Sequence, residues 1–120
     1  MTKDKINEII RKHKLWLNNE DGGELADFHY SDLDNADLSG VDLCDADLSF
    51  SCLSGANLSN SDLSGADLCG AILRHADLRG AQLIETDLRG ADLCDAKMRQ
   101  QDMYSASLTQ EQRDSIIICD

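Results

Sequence analysis

The sequence predicts an all-β solenoid of short strands and turns, closed by an α-helical cap at its N-terminal end and a short cap at its C-terminal end. Two observations carry that prediction. From residue 26 to residue 110 the chain divides into seventeen five-residue blocks without an insertion. A hydrophobic period of five also fits neither an α-helix nor a long β-strand.

The third residue of every block is large and apolar: Phe28, then Leu at each fifth position from 33 to 93, then Met98, Met103 and Leu108. The first is Ala in eleven blocks and the second is Asp in eleven, with Asn57 the close substitute. Five residues advance a helix by about 500°, so the leucines would spiral around it instead of forming a stripe. In a continuous strand an odd period throws alternate leucines to opposite faces. A very short strand followed by a turn satisfies the pattern. The small residue and the Leu point inward, the Asp points outward, and the last two residues turn the chain. Glycines at 40, 55, 65, 70, 80 and 90 suit that turn. One repeat buries too little to fold alone, so stacked neighbours and protected ends are required.

The ends fit that requirement. Between Thr2 and about Leu17, the residues Ile6, Ile9, Ile10, His13, Trp16 and Leu17 recur at helical spacing, and "NNEDGG" (18–23) stops the helix. Trp16 and the isoleucines are expected to cover the first coil near Phe28. At the other end Thr109 to Gln112 reads as a capping box opening a short helix. Ile116, Ile117 and Ile118 follow it, either closing the last coil, the preferred account, or forming a self-association surface. The chain thus divides into a capping helix and linker (1–25), a repeat array (26–110) and a C-terminal cap or tail (111–120).

The block consensus, A(D/N)LXX across seventeen tandem copies, resembles the pentapeptide-repeat proteins over residues 26–110. The resemblance implies a right-handed quadrilateral β-helix with one block on each side of a square, and therefore about four coils. Second-position residues twenty apart then stack. One side carries Asp27, Asp47, Asp67 and Asp87, with neighbours about 5 Å apart. Like charges at that distance are expected to hold their protons more tightly than free Asp. Such a column suits cations or imitates a row of phosphates. The alternative account carries more weight: Asp at this position bonds local backbone and keeps the rod in solution.

Other outward residues stand out. Tyr30 and Phe50 share a corner of adjacent coils, and are expected to pack beneath the N-terminal helix or its linker; the alternative is a pair of binding anchors. Ile72 and Ile84 occupy outward positions where apolar residues are out of place. Arg79 and Arg99 fall one coil apart on one side. Residues 26–70 hold nine Asp and no Lys or Arg, whereas 71–110 hold five basic and six acidic side chains. That asymmetry suits docking of a basic partner.

The totals bound the function. A net charge of −12 argues against direct contact with nucleic acid or an anionic membrane. The polar N-terminus reads as neither a signal peptide nor a membrane span, so a cytoplasmic location is expected. Cysteines at 44, 52, 69, 94 and 119 include no CxxC pair and match neither a zinc site nor an even disulfide framework. No cofactor or metal is implied. His13, His29 and His75 have no nucleophile set beside them by the register, so a non-enzymatic role is expected. The preferred function is a protein-interaction or scaffold module, as monomer or as homodimer through Ile116–Ile118. The alternative is an acidic DNA mimic acting on a DNA-binding partner, a topoisomerase such as gyrase, as some pentapeptide-repeat proteins do. Against it, the array is short, uninterrupted by loops and not followed by a long aromatic-rich helix.

Overall fold

Each five-residue block has five backbone N–H groups, and each group finds a different partner. In the block 46–50, Asp47 N donates to Ala26 O of the coil below at 3.0 Å, and Leu48 N to Asp67 O of the coil above at 2.8 Å. Phe50 N donates to Cys69 O above at 2.9 Å, while Ala46 N closes a turn onto Leu43 O at 3.0 Å. The fifth donor, Ser49 N, is left without a backbone acceptor. It bonds Asp47 Oδ1 at 3.0 Å. The same side-chain bond recurs at every second-position Asp or Asn from 27 to 92. This is the physical reason for Asp or Asn at that place: a carboxylate or amide oxygen satisfies the one donor that the coil leaves unpaired.

The computed structural model describes all residues, 1–120. Parallel bridges join residues twenty apart in four columns: 27–47–67–87, 32–52–72–92, 37–57–77–97 and 42–62–82. A period of five closing after twenty residues makes a four-sided coil, as the repeat requires. The third-position residues from Phe28 to Met98 are all buried, and with the inward alanines they form one continuous core. Where a hydroxyl replaces the alanine it is satisfied internally: Ser51 and Ser61 donate to the carbonyls of Leu48 and Leu58, and Thr86 to that of Leu63. The molecule measures 43 × 25 × 23 Å.

The turn at the fifth position demands a left-handed backbone. Glycine supplies it at six places, and eight other residues adopt it as well, among them Tyr30 and Phe50 with φ of 54° and 55°. A side chain with a Cβ is strained there by about 1–2 kcal/mol.

Helix α1 (Lys3–Leu17) begins at Thr2, whose hydroxyl accepts from Lys5 N at 3.2 Å. It lies over the first coil through buried Ile6 and His13 and half-buried Ile9 and Ile10. Trp16 does not share that task, contrary to expectation. It is 38% exposed and stacks on His13 with ring centroids 5.6 Å apart. His13 sits between the indole and the rod, and its Nδ1 accepts from Ala26 N at 3.0 Å. None of the helices is long and apolar enough to cross a membrane.

The regular coil ends earlier than the block pattern predicts. Strand β1 (Lys97–Met98), bridged to Asp77 below, ends the unbroken run of coil sides. Blocks 101–105 and 106–110 leave it: Gln100–Tyr104 forms a 3₁₀ turn, and helix α2 (Gln110–Ser115) follows. Gln101 stands where the tight interior takes Ala, and Asp102 caps the turn by accepting from Arg99 N and Gly80 N. The twenty-residue step nevertheless survives, because β2 (Ile117–Ile118) pairs in parallel with β1, Lys97 with Ile117 and Met98 with Ile118. Thr109 and Gln112 form the expected capping box, and Gln112 Nε2 reaches the carbonyls of Leu88 and Ala91. Of the three isoleucines only Ile116 is buried. Ile117 faces outward and Ile118, stacked on Met98, has no further coil above it.

Burial holds His13 below the ordinary histidine range, the nearby backbone of Cys44 and the charges of Asp42 and Asp45 offsetting only part of the effect. The unfolded chain therefore takes up this proton first as pH falls. Stability is full above about pH 6.5, the free histidine value, and declines below it toward the depressed folded value. Exposed His29 is shifted the other way by Asp27 and opposes this weakly. The urea midpoint is expected to fall between pH 7.5 and 5.5 in the wild type and to fall less in His13→Gln; equal slopes in the two proteins exclude His13 as the cause.

Candidate functional site

The first side of the rod, formed by blocks 26–30, 46–50, 66–70 and 86–90, gathers most of the singled-out residues. Asp27, Asp47, Asp67 and Asp87 are consecutive bridge partners on it. They are not electrostatically equal. At the bottom, His29 Nδ1 lies 2.5 Å from Asp27 Oδ1. At the top, the Arg89 guanidinium grips Asp87 through two bonds of 2.9 and 2.7 Å. Asp47 and Asp67 have no basic partner; their Oδ1 atoms accept the Asx-turn bonds, from Ser49 N at 3.0 Å and Cys69 N at 2.9 Å.

This corrects the expected protonation at both ends of the column. The hydrogen bonds from His29 hold Asp27 below the usual carboxylate range, and those from Arg89 do the same for Asp87. His29 and Arg89 are shifted upward in return. Donors within the same block set the direction at both ends. The signal was present in the sequence as "DLR" at 77–79 and 87–89, since second and fourth positions lie side by side on the outer surface.

The corner of this side carries the aromatic pair. Tyr30 and Phe50 stack with centroids 5.2 Å apart and planes 12° from parallel. They do not pack beneath α1: Tyr30 is 73% exposed and Phe50 49%. The left-handed turn directs both side chains away from the rod, while α1 covers the base of the coil and not its corner. His29 meets Tyr30 edge-on at 5.6 Å. One coil up, the Phe50 ring lies against Gly70, where a Cβ would collide with it. Asp27, Asp47, Asp67, Tyr30 and Phe50 thus form one contiguous patch.

The remaining residues lie elsewhere. Ile72 sits on the second side, bridged to Cys52 below and Asp92 above, and Ile84 on the fourth; both are exposed. Arg79 and Arg99 share the third side. Arg79 is committed to Asp77 through bonds of 2.9 and 2.7 Å, which leaves it no free charge to offer a partner. Arg99 joins the 3₁₀ turn through its backbone.

Sequence reasoning passed over Cys44. Its thiol lies between Asp42 and Asp62, and burial, aided by those carboxylates, pushes it up to about 12. It is therefore a poor nucleophile at neutral pH. Two clusters bring three potential ligand atoms within 4.8 Å of one another: Asp27, His29 and Asp47, and Asp42, Cys44 and Asp62. The concavities are open and lined by polar and apolar groups together. One of 270 Å³ runs between α1 and the first coil, lined by Lys5, Glu8, Lys12, Glu24 and Asp27 among others.

No curated protein matches the chain. Among solved structures, Rfr23, a pentapeptide repeat protein from the cyanobacterium Cyanothece 51142, is 35% identical; the match covers 65% of this chain and 53% of that one, with a TM-score of 0.48. HetL from Nostoc sp. strain PCC 7120, a pentapeptide repeat protein involved in heterocyst differentiation regulation, is 30% identical over 62% of this chain and 48% of its own, with a TM-score of 0.44. QnrB1, a plasmid-mediated fluoroquinolone resistance protein, is 18% identical over 81% and 59%, with a TM-score of 0.42. The chain thus spans about half the length of Rfr23 and of HetL. The Pentapeptide repeats family profile matches residues 24–60 and 61–100, most of the array defined above by its bridges and turns, and the chain belongs to the pentapeptide-repeat family.

Proposed function

We propose that this chain is a non-enzymatic protein-interaction module that binds a protein partner through the outward side chains of its rod. The supporting observation is the aromatic pair. Tyr30 and Phe50 stack on each other with centroids 5.2 Å apart and remain exposed together, on a rod whose backbone is hydrogen-bonded coil to coil. An exposed aromatic stack on a rigid scaffold points to use rather than packing. The family resemblance supplies the right-handed quadrilateral β-helix, with residues 1–25 as its lower cap and linker and residues beyond the last regular coil as its upper cap. A cytoplasmic location accords with five unpaired cysteines. The exposed edge formed by Ile117 and Ile118, beside buried Ile116, offers the route to a homodimer if the module is not a monomer.

Affinity capture from the native host's lysate tests the reading. Proteins retained by the wild type are expected to be lost with the double variant Tyr30→Ser/Phe50→Ser. An identical set on both proteins, across several salt concentrations, sinks it.

A second reading, an acidic mimic of duplex DNA that occupies a topoisomerase such as gyrase, draws on the Asp27–Asp87 column. The compensation of Asp27 by His29 and of Asp87 by Arg89 interrupts the row of charges and counts against it. A gyrase supercoiling assay separates the two: the interaction reading expects supercoiling to be unchanged at micromolar protein, and concentration-dependent inhibition favours the mimic.

A further inference from the structure

We propose that the first side of the rod binds an extended, arginine-rich segment of a partner protein, with guanidinium groups placed on the Tyr30–Phe50 stack and against the carboxylates of Asp47 and Asp67. The inference rests on the interaction reading above and names the chemistry of its partner.

Three features select this occupant. The first is charge. Between residues 26 and 70 the array has nine Asp and no Lys or Arg, and Asp47 and Asp67 are free of ion pairs, although Asp77, Asp87 and Asp92 higher on the rod each have an arginine. The cations missing from this patch are available from a partner. The second is the pairing of π-faces with carboxylates on one surface. Arginine alone satisfies both, because its planar guanidinium stacks on aromatic rings and forms paired hydrogen bonds to carboxylates; a lysine ammonium does neither as well. The third is preorganisation. The Oδ1 atoms of Asp47 and Asp67 are held by backbone donors of their own turns, which leaves Oδ2 presented and little side-chain freedom to lose on binding.

The patch has edges. Below it, Lys5 and Lys12 of α1 line the groove beside Asp27, with Lys12 near Glu24 at 3.7 Å. Above it, Arg89 closes Asp87, and the corner falls away to Gly70 and Gly90. His29 competes for Asp27. The footprint therefore covers two to three coils and accepts a short segment with a few cationic side chains. Extended peptide has the right form, since residues on one of its faces recur every ~7 Å, and long arginine stems span the difference from the ~4.8 Å coil spacing.

The test is fluorescence anisotropy on the full chain under reducing conditions at pH 8, where His29 competes least. The probe is a labelled decapeptide of alternating Arg and Ser, compared with its Lys/Ser and Glu/Ser counterparts. The Arg peptide is expected to bind in a salt-sensitive manner, about five-fold tighter than the Lys peptide, the Glu peptide not at all. Tyr30→Gly/Phe50→Gly suits the left-handed backbone and so keeps the fold. It is expected to weaken the Arg peptide by about five-fold and to remove the preference over Lys. Asp47→Asn/Asp67→Asn keeps both turn acceptors and is expected to weaken both cationic peptides and flatten the salt dependence, while Asp37→Asn on the third side changes neither. Equal affinity of wild type and both double variants, or no binding of the Arg peptide, overturns the inference. If the Arg peptide fails while lysate capture still depends on Tyr30 and Phe50, only the arginine assignment falls. If both fail, the interaction reading falls with it.

Discussion

Leu68→Asp is expected to abolish cooperative folding, while Asp67→Asn, one residue away, leaves the melting transition within about 0.5 kcal/mol of the wild type. Leu68 is fully buried at mid-rod, in one column with Leu48 and Leu88, and its backbone already joins the coil above through Leu68 N and Asp87 O. Losing a buried leucine costs about 2–5 kcal/mol. The replacement carboxylate adds desolvation with no cation inside the rod to offset it, and the sum consumes the ~5–15 kcal/mol that a domain has in total. Asp67 faces outward, and its structural duty is to accept from Cys69 N through Oδ1. An asparagine keeps that acceptor, as Asn57 does for Ser59 N at 3.0 Å. Urea titrations followed by circular dichroism compare the two; similar midpoints would falsify the alternation of inward and outward positions on which the whole fold rests.

Gly23→Ala is expected to release α1 from the rod. A Cβ at residue 23 falls 2.6 Å from the Trp16 Cα and closer still to the Trp16 nitrogen, so it meets helix backbone that has no room to yield. The linker is tied to the helix on both sides of this glycine, by Glu20 N to Leu15 O at 2.9 Å and Glu24 N to Lys12 O at 3.1 Å. Relief requires that segment to move, and with it the His13 acceptor that holds Ala26 N. Overpacking of this kind costs about 1–3 kcal/mol, and exposure of the first coil adds to it. The expected signs are a lower urea midpoint, altered Trp16 fluorescence and faster proteolysis within residues 18–25. Gly22→Ala is the control: nothing lies near its Cβ, and its penalty is the ~1–2 kcal/mol of a left-handed backbone at φ 83°. A Gly23→Ala protein that melts with the wild type, while Gly22→Ala does not, contradicts the seating of α1.

These predictions also mark what was legible beforehand. The core could be listed from the period alone, because every third-position side chain from Phe28 to Met98 is buried and the alternation depends only on strand geometry. The capping box at Thr109 and Gln112 and the stop after Leu17 are local signals of backbone capping, and both hold. The failures have a common origin. Blocks 101–110 keep a large third residue yet leave the coil, since a single apolar residue in five does not distinguish a coil side from a 3₁₀ turn. Tyr30 and Phe50 were expected under the helix and lie outside it, because where α1 crosses the base is decided by the fit of Ile6 and His13 and by no local pattern.

The sequence alone determined the period, the in-and-out order of each block and the need for Asp or Asn, because each follows from interactions within five residues or between identical neighbours. Only the tertiary structure decided which cysteine is shielded, where the coil stops and which aromatics face solvent. Those depend on distances across coils and on the placement of the helix, where residues distant in sequence meet once and leave no repeated trace. The patch of Asp47, Asp67, Tyr30 and Phe50 belongs to that second class: its residues stand out singly along the chain, and only the stacking of coils makes them one surface.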